Sequence, residues 1–203
     1  MEPRILKLQQ VKVIFIVVAA VLALLVASPA LQHFLVYPQT DSFTELSLLG
    51  PGHIAGNYPY NITQNENYTV YLGITNNLGS CAYYQVEVKF GNESLSVPNV
   101  FNSSASASPA LYNINTFVAN KESYELPVTF SLDYLTVNES TVVFNSLMFN
   151  GEKLNLAGLS SSWNATSNVF YSDLIFELWL YNAGTNSFQY NDRFVDLKLN
   201  MTT

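Results

Sequence analysis

Seven Asn-X-Ser/Thr triplets carry the most legible chemistry in this chain: Asn61, Asn67, Asn92, Asn102, Asn138, Asn164 and Asn200, none with proline in the middle. An asparagine at this spacing from a hydroxyl residue accepts an N-linked glycan on its amide nitrogen, on a surface outside the cytosol. A chain rich in Asn, Ser and Thr makes several such triplets by chance, and Asn also favours turns. Their weight therefore depends on compartment. If the region lies outside the cell, more than half are expected to be modified.

Other reactive groups are scarce. His33, His53 and Cys81 are the only imidazoles and the only thiol in 203 residues. Metal centres need clusters of His, Cys or carboxylate, and no spacing here joins these three. Asp192 and Asp196 lie four apart, on one face of a strand, but Arg193 and Lys198 beside them point to solvated charges rather than a calcium site. No Gly-X-Ser-X-Gly elbow and no phosphate-cradling glycine loop occurs. Two histidines leave little from which to build a hydrolytic triad. A glycosidic carboxylate pair can be distant along a chain, but nothing marks one. The expectation is no catalytic residue, no cofactor and no metal. Cys81 has no intrachain partner and is expected as a small buried apolar residue rather than an intermolecular bridge.

What positions these groups begins with a helix. Val13 to Leu31 is an apolar run without a charge, preceded by Arg4, Lys7 and Lys12, and no Lys or Arg follows until Lys89. Coiled as a helix, that length matches the roughly 30 Å hydrocarbon core of a bilayer. Basic residues on one flank place the N-terminus in the cytoplasm. A signal peptide has a shorter apolar region, about 7–15 residues, and a small-residue cleavage site. Ala27-Ser28-Pro29-Ala30 offers such a site, but the greater length favours a retained anchor. Pro29 would bend only its outer end, and His33, Phe34 and Tyr37 would sit at headgroup depth. Ala19, Ala23 and Ala27, with Ala20 beside them, permit close helix packing in lipid. The predicted organisation is a cytoplasmic terminus at 1–12, a transmembrane helix at 13–36 and an extracytoplasmic domain at 37–203.

Beyond the helix the composition is unusual. Only 11% of residues are charged, against about 25% in typical soluble domains. Fourteen acids and five bases fall outside residues 1–12. That balance excludes a nucleic-acid face, which must be basic, and disfavours anionic headgroups. A surface of amides and hydroxyls stays polar when carboxylates protonate, so its solubility does not depend on them.

Alternation with period two marks half-buried strands along the remainder. Residues 43–48 alternate and end at Gly50-Pro51-Gly52. Val70, Leu72 and Ile74 share a face with Tyr68. Tyr84, Val86, Val88 and Phe90 share another, with Gln85, Glu87 and Lys89 toward solvent. The pair reads as a hairpin across Asn76–Ser80. A long loop is predicted within 94–123. Strand character returns at 126–135 and 141–149, where Asn150-Gly151 turns the chain toward 153–159. Ser160 to Asn168 reads as a polar loop. Leu174, Phe176, Leu178 and Leu180 form an inward row, with Ile175, Trp179 and Tyr181 opposite. Phe194 to Leu199 closes the chain. Eight or nine strands spaced by turns imply a mainly β, immunoglobulin-like β-sandwich preceded by one N-terminal transmembrane helix.

Gly50-Pro51-Gly52, Asn57-Tyr58-Pro59, Asn61-Ile62-Thr63, Glu66-Asn67-Tyr68-Thr69-Val70 and Gly73-Ile74-Thr75-Asn76 form an ordered series. The series resembles the archaeal family catalogued as domain of unknown function 1616, and Phe176 to Tyr181 with Phe188 to Leu199 looks like its closing hairpin. Similarity covers roughly 43–90 and 170–200. The resemblance implies an archaeal, membrane-anchored, immunoglobulin-like domain with no chemistry to transfer. The charge-poor style also looks like envelope proteins of thermoacidophilic archaea.

The expected role is a non-enzymatic membrane glycoprotein, a structural or accessory subunit of a membrane complex or cell envelope. Its partners would be the lipid bilayer, neighbouring membrane or envelope proteins and N-linked glycans, with no nucleic acid. A carbohydrate- or solute-binding module is the alternative, with Trp163, Trp179 or loop tyrosines as stacking platforms. An aromatic-lined pocket would favour a ligand, and a flat apolar patch would favour protein contact.

Overall fold

The computed structural model describes residues 3–34, 42–92, 97–99 and 101–202, with the side chains of 3–9 and 29–34 left out. The chain divides into two compact units, 1–41 and 42–203.

The first unit is one helix, α1 (Pro3–Phe34). Its 32 residues give a rod about 48 Å long at ~1.5 Å per residue. Within it Gln10–Ser28, 19 residues, is long and apolar enough to cross a bilayer. Apolar side chains point all round this stretch and none is buried by the protein. A helix apolar on every side has no face to turn to water, unlike an amphipathic surface helix. The backbone stays helical through Pro29. The headgroup-depth placement of His33, Phe34 and Tyr37 lies outside the described residues.

The second unit is all β. In chain order its strands are β1 (Phe43–Leu49), β2 (Asn61–Ile62), β3 (Tyr68–Asn77), β4 (Ala82–Gly91), β5 (Tyr112–Val118) and β6 (Glu122–Asn138). Then follow β7 (Thr141–Phe149), β8 (Glu152–Asn155), β9 (Ser160–Asn164), β10 (Val169–Asn182) and β11 (Ser187–Met201). One layer runs β1-β3-β6-β7-β8, all antiparallel. The other runs β5-β4-β10-β11-β2, antiparallel except for the short parallel pairing of β11 with β2. β9 pairs with both β7 and β10, so one continuous sheet curls over on itself.

The core lies between the layers. Val70, Leu72 and Ile74 of β3, with Val128, Phe130 and Leu132 of β6, oppose Tyr84, Val86 and Val88 of β4 and Leu174, Phe176 and Leu178 of β10. Rings meet across the gap: Phe90 stands edge-on to Phe144 at 5.0 Å, and Phe149 tilts against Phe176 at 6.4 Å. Buried hydroxyls are satisfied across it too. Thr44 Oγ1 lies 3.0 Å from Tyr84 Oη, and Tyr134 Oη donates to the carbonyl of Ile62 at 2.8 Å.

The period-two pattern located strands well but not their partners. β3 and β4 do not form the expected hairpin. β3 lies between β1 and β6, and β4 between β5 and β10, so the chain crosses from one layer to the other through 78–81. Both strands carry an apolar face, and crossing sheets sets those faces against each other instead of side by side. β5 occupies 112–118 of the stretch read as a long loop, and 160–164 of the supposed polar loop is β9. The Asn150-Gly151 turn joins β7 to β8 with both residues at positive φ, 48° and 85°. Gly50 is required by close approach: a Cβ there would meet the carbonyl oxygen of Gly56 at 2.0 Å.

Candidate functional site

The reactive residues of the sequence stay apart. The ring of His53 stacks on Tyr71 at 3.8 Å, and its Nδ1 lies 2.7 Å from Glu125 Oε2. Cys81 is exposed, not buried as expected, because the crossing segment between β3 and β4 carries it past the end of the sandwich. His33 lies outside the described side chains. Asp196 pairs with Lys198 at 3.3 Å. Asp192 sits at φ 54° where β11 shifts register against β10.

The seven sequons sort by what their amides already do. Asn61, Asn67, Asn102 and Asn138 are exposed. At Asn138 the side-chain oxygen accepts from both the amide and the hydroxyl of Ser140, at 2.9 and 2.8 Å. Asn92 and Asn200 instead spend the amide nitrogen inside the fold. Asn92 Nδ2 donates to the Ser160 carbonyl at 2.6 Å, and Asn200 Nδ2 to Asn61 Oδ1 at 2.9 Å. Asn164 is half-buried, its side-chain oxygen taking the amides of Thr166 and Ser167.

The richest chemistry lies on the outer face of the second layer. Strand alternation sends Tyr83, Gln85, Glu87 and Lys89 of β4 outward, and in register with them Tyr181, Trp179, Glu177 and Ile175 of β10. Lys89 was expected in solvent, yet it is 2% exposed. The segment ahead of β5 folds over this half of the face and supplies the reason. Lys89 Nζ donates to Glu177 Oε2 at 2.7 Å and to the Ser106 carbonyl at 3.0 Å. The Ser106 amide donates to Glu177 Oε1 at 2.8 Å. Glu87 stands 3.4 Å from the same ammonium. Two buried opposite charges, each held by further hydrogen bonds, thus clamp a strap across β4 and β10.

Beyond the strap no described segment crosses the face, and it changes character. Phe117, Tyr83, Tyr181 and Phe188 come from four adjacent strands, β5, β4, β10 and β11, and lie in one file across the sheet. Phe117 stacks on Tyr83 at 4.2 Å and 14°. Tyr83 meets Tyr181 at 5.9 Å and Phe188 at 5.2 Å, and Tyr181 meets Phe188 edge-on at 5.4 Å. Phe117 is 68% exposed. The next file toward the strap is Asn115, Gln85, Trp179 and Tyr190. Trp179 Nε1, Tyr190 Oη and Asp192 Oδ1 are buried and find no partner among the described residues. A depression of about 330 Å³ opens beside Tyr190, lined also by Tyr181, Gln189 and Asn191.

Burial pushes the Tyr190 hydroxyl up to about 12, with the negative charges of Glu177 and Asp192 adding and Arg193 opposing. The native state then holds a proton that the unfolded chain releases near pH 10. The contribution is present in full below about pH 10 and is lost as pH rises toward 12. Urea unfolding between about pH 9 and 11 should show stability falling, and Tyr190→Phe should make that fall shallower. An unchanged slope would mean that the hydroxyl ionises as freely in the fold as out of it.

Trp163, a named platform, is exposed and packs its ring against Phe170 at 5.0 Å, above a cleft of about 350 Å³ shared with Thr136 and Glu139. Trp179 is half-buried in the second file and leans on Tyr190 at 5.7 Å. The aromatic file itself escaped sequence reading. Its signal is an aromatic at the solvent-facing phase of four separate strands, and it becomes a file only once their register is known.

A family model described as "Domain of unknown function (DUF1616)" matches residues 38–168. The match takes in the middle of the chain and stops before β10, so the expected similarity over 170–200 lies beyond it. No curated protein matches. Among solved structures the chain is similar to a β-glucosidase from Listeria innocua crystallised with gluconolactone, at 11% identity and TM-score 0.31. That alignment covers 81% of this chain and 17% of the other, and at this score it carries no argument.

Proposed function

Starting from the fact that this chain belongs to the DUF1616 family, we propose that it is a single-pass membrane glycoprotein of an archaeal envelope. In this reading it is a non-enzymatic structural or accessory subunit. α1 remains in the bilayer with its N-terminus in the cytoplasm, and the sandwich stands outside. The observation that carries the reading is the 19-residue stretch Gln10–Ser28 of α1, apolar on every side from Val13 to Ala27, none of which the protein buries. Such a surface is stable in hydrocarbon and costly in water. Arg4, Lys7 and Lys12 on one flank support the orientation. The amide- and hydroxyl-rich surface of the sandwich supports the archaeal envelope that the family resemblance implies.

Glycosylation follows from that placement and sorts by geometry. Glycans are expected on the exposed Asn61, Asn67, Asn102 and Asn138, and not on Asn92 or Asn200, whose amide nitrogens are already donors within the fold. Protease added to intact cells, followed by peptide mass mapping, tests both claims. The expected result is digestion of residues 42–203, survival of α1 in the membrane pellet and glycan mass on those four positions. A mature N-terminus near residue 30, or a sandwich that the protease never reaches, would overturn the anchor.

A further inference from the structure

We propose that the free edge of β5 pairs with the same edge of a second copy of this chain, antiparallel and about a two-fold axis at Asn115. The pairing rests in part on the membrane placement argued above, because the bilayer is what concentrates the copies.

Four strands of the sandwich are paired on one side only among the described residues: β1, β2, β5 and β8. An unpaired edge offers a row of N–H and C=O groups to any other strand, and proteins ordinarily blunt it with charge, proline, a bulge or short length. Three of the four are blunted in these ways. Arg193 Nε donates to the Thr44 carbonyl of β1 at 3.1 Å, and Glu45 is exposed beside it. β8 has 4 residues, and Glu152 and Lys153 are among them. β2 has 2 residues and follows closely on Pro59. β5 has none of these protections. Its 7 residues include no charge and no proline, and its register with β4 runs without a shift.

Which backbone groups are free follows from the ladder. The Val88 carbonyl takes the Leu111 amide at 2.8 Å, so Val88 turns its backbone groups toward β5. Val88 is paired with Tyr112. Antiparallel backbones alternate, so Tyr112, Ile114 and Thr116 bond to β4, while Asn113, Asn115 and Phe117 point their N–H and C=O away from it. Those groups have no partner among the described residues. The side chains of the same three residues are exposed.

Self-complementarity selects the occupant. With Asn115 on the axis, Asn113 lies opposite Phe117 of the second copy, and every outward N–H and C=O of the three residues meets a partner. A carboxamide both donates and accepts, so Asn115 can hydrogen-bond to its own copy across the axis. Like charges directly opposite would instead repel. Ile114 falls opposite Thr116 and Tyr112 opposite Val118, so the inner row of one sandwich continues as the inner row of the other. The chain carries a net charge of -7, and copies repel wherever acids face each other. On β5 there are none. A foreign cationic strand, drawn by that net charge, would find no acid on β5 to meet.

Size sets the strength. An edge of 7 residues covers well under the ~800 Å² per partner of a standard stable interface. Pairing is therefore weak between freely diffusing copies and favoured where both are held on one surface, which raises their effective concentration.

The test labels the full chain on its single thiol, the exposed Cys81, with a fluorescent donor or acceptor, and mixes the two in phosphatidylcholine vesicles. Energy transfer is expected above the level that random proximity gives, and it is lost on adding excess unlabelled chain. Asn115→Lys sets like charges on the axis, and Asn115→Pro removes the central outward N–H. Both are expected to bring transfer down to the random level while cooperative thermal unfolding is retained, and Asn115→Gln is expected to keep it. Register is read separately. In Asn115→Cys on a Cys81→Ser background, a short bismaleimide is expected to join two copies, whereas the parent, whose Cys81 precedes β4, gives no such product. A chain that does not sediment with the vesicles sinks the anchor rather than the pairing, and both measurements are then read in concentrated micelles. The pairing is overturned if transfer stays at the random level where the chain is membrane-bound, or in concentrated micelles where it is not. It is equally overturned if Asn115→Lys and Asn115→Pro transfer as the parent does, or if the thiol placed at 115 cross-links in native membranes only to a chain of another mass.

Discussion

Glu177→Ala is expected to destabilise the sandwich by about 3–5 kcal/mol, measured by urea unfolding at neutral pH. The residue is fully buried, and its removal leaves Lys89, at 2% exposure, without its nearest anion. The Ser106 amide loses its acceptor at the same stroke. Glu87, already 3.4 Å from the ammonium, offers partial compensation and places the expected value toward the lower end. Replacing both partners with apolar residues, Lys89→Met with Glu177→Leu, is expected to recover most of the loss, because no charge is then stranded. Recovery should stay incomplete by about 1–3 kcal/mol, since the Ser106 amide and carbonyl still lack partners. Hydrogen exchange at that amide should quicken in all these variants, reporting the strap rather than the core. If Glu177→Ala costs less than about 1 kcal/mol, the ion pair is not what holds the strap down.

Removing residues 1–41 is expected to move the protein wholly from the membrane fraction to the aqueous one while the sandwich keeps its fold. The core described above is drawn entirely from residues after 42, and the chain divides at that point. A gentler version keeps the length and places arginine at Ile16 and Leu22. Each charge near the middle of a span costs about 2.5–3.5 kcal/mol on insertion. Circular dichroism and a cooperative thermal transition for residues 42–203, together with carbonate extraction of the full chain, check both halves of the claim. If the shortened chain loses its cooperative transition, the sandwich does not stand on its own residues. If it still sediments with membranes, α1 is not what holds it there.

Both predictions draw on features of different legibility. The apolar helix could be read directly, because a helix long and apolar enough to cross a bilayer is made of consecutive residues and the signal is local. The strands were legible for the same reason. Alternation in Val70, Leu72 and Ile74, or in Tyr84, Val86 and Val88, states which residues go inward whatever lies across the gap. Their neighbours were not legible. Loop length between Asn77 and Ala82 suggested a hairpin, and tertiary packing set the two strands in different layers instead. Lys89 shows the same limit in a single residue. Its phase in β4 pointed outward correctly, but outward meant under the strap, not into water. The sequons gained from the fold as well. Seven equivalent triplets became four with an exposed asparagine, one half-buried at Asn164, and two whose amide nitrogens are committed.

By itself, then, the sequence determined where the chain is greasy, where it is pleated and which side of each pleat is apolar, because those properties depend on residues within one or two turns of each other. The tertiary structure alone decided which strands touch. With that it decided that Lys89 meets Glu177 from 88 positions away and that four outward aromatics from four strands line up as one file. Those facts follow from register across the sheet, which is set by the packing of the whole core and is written in no single stretch of residues.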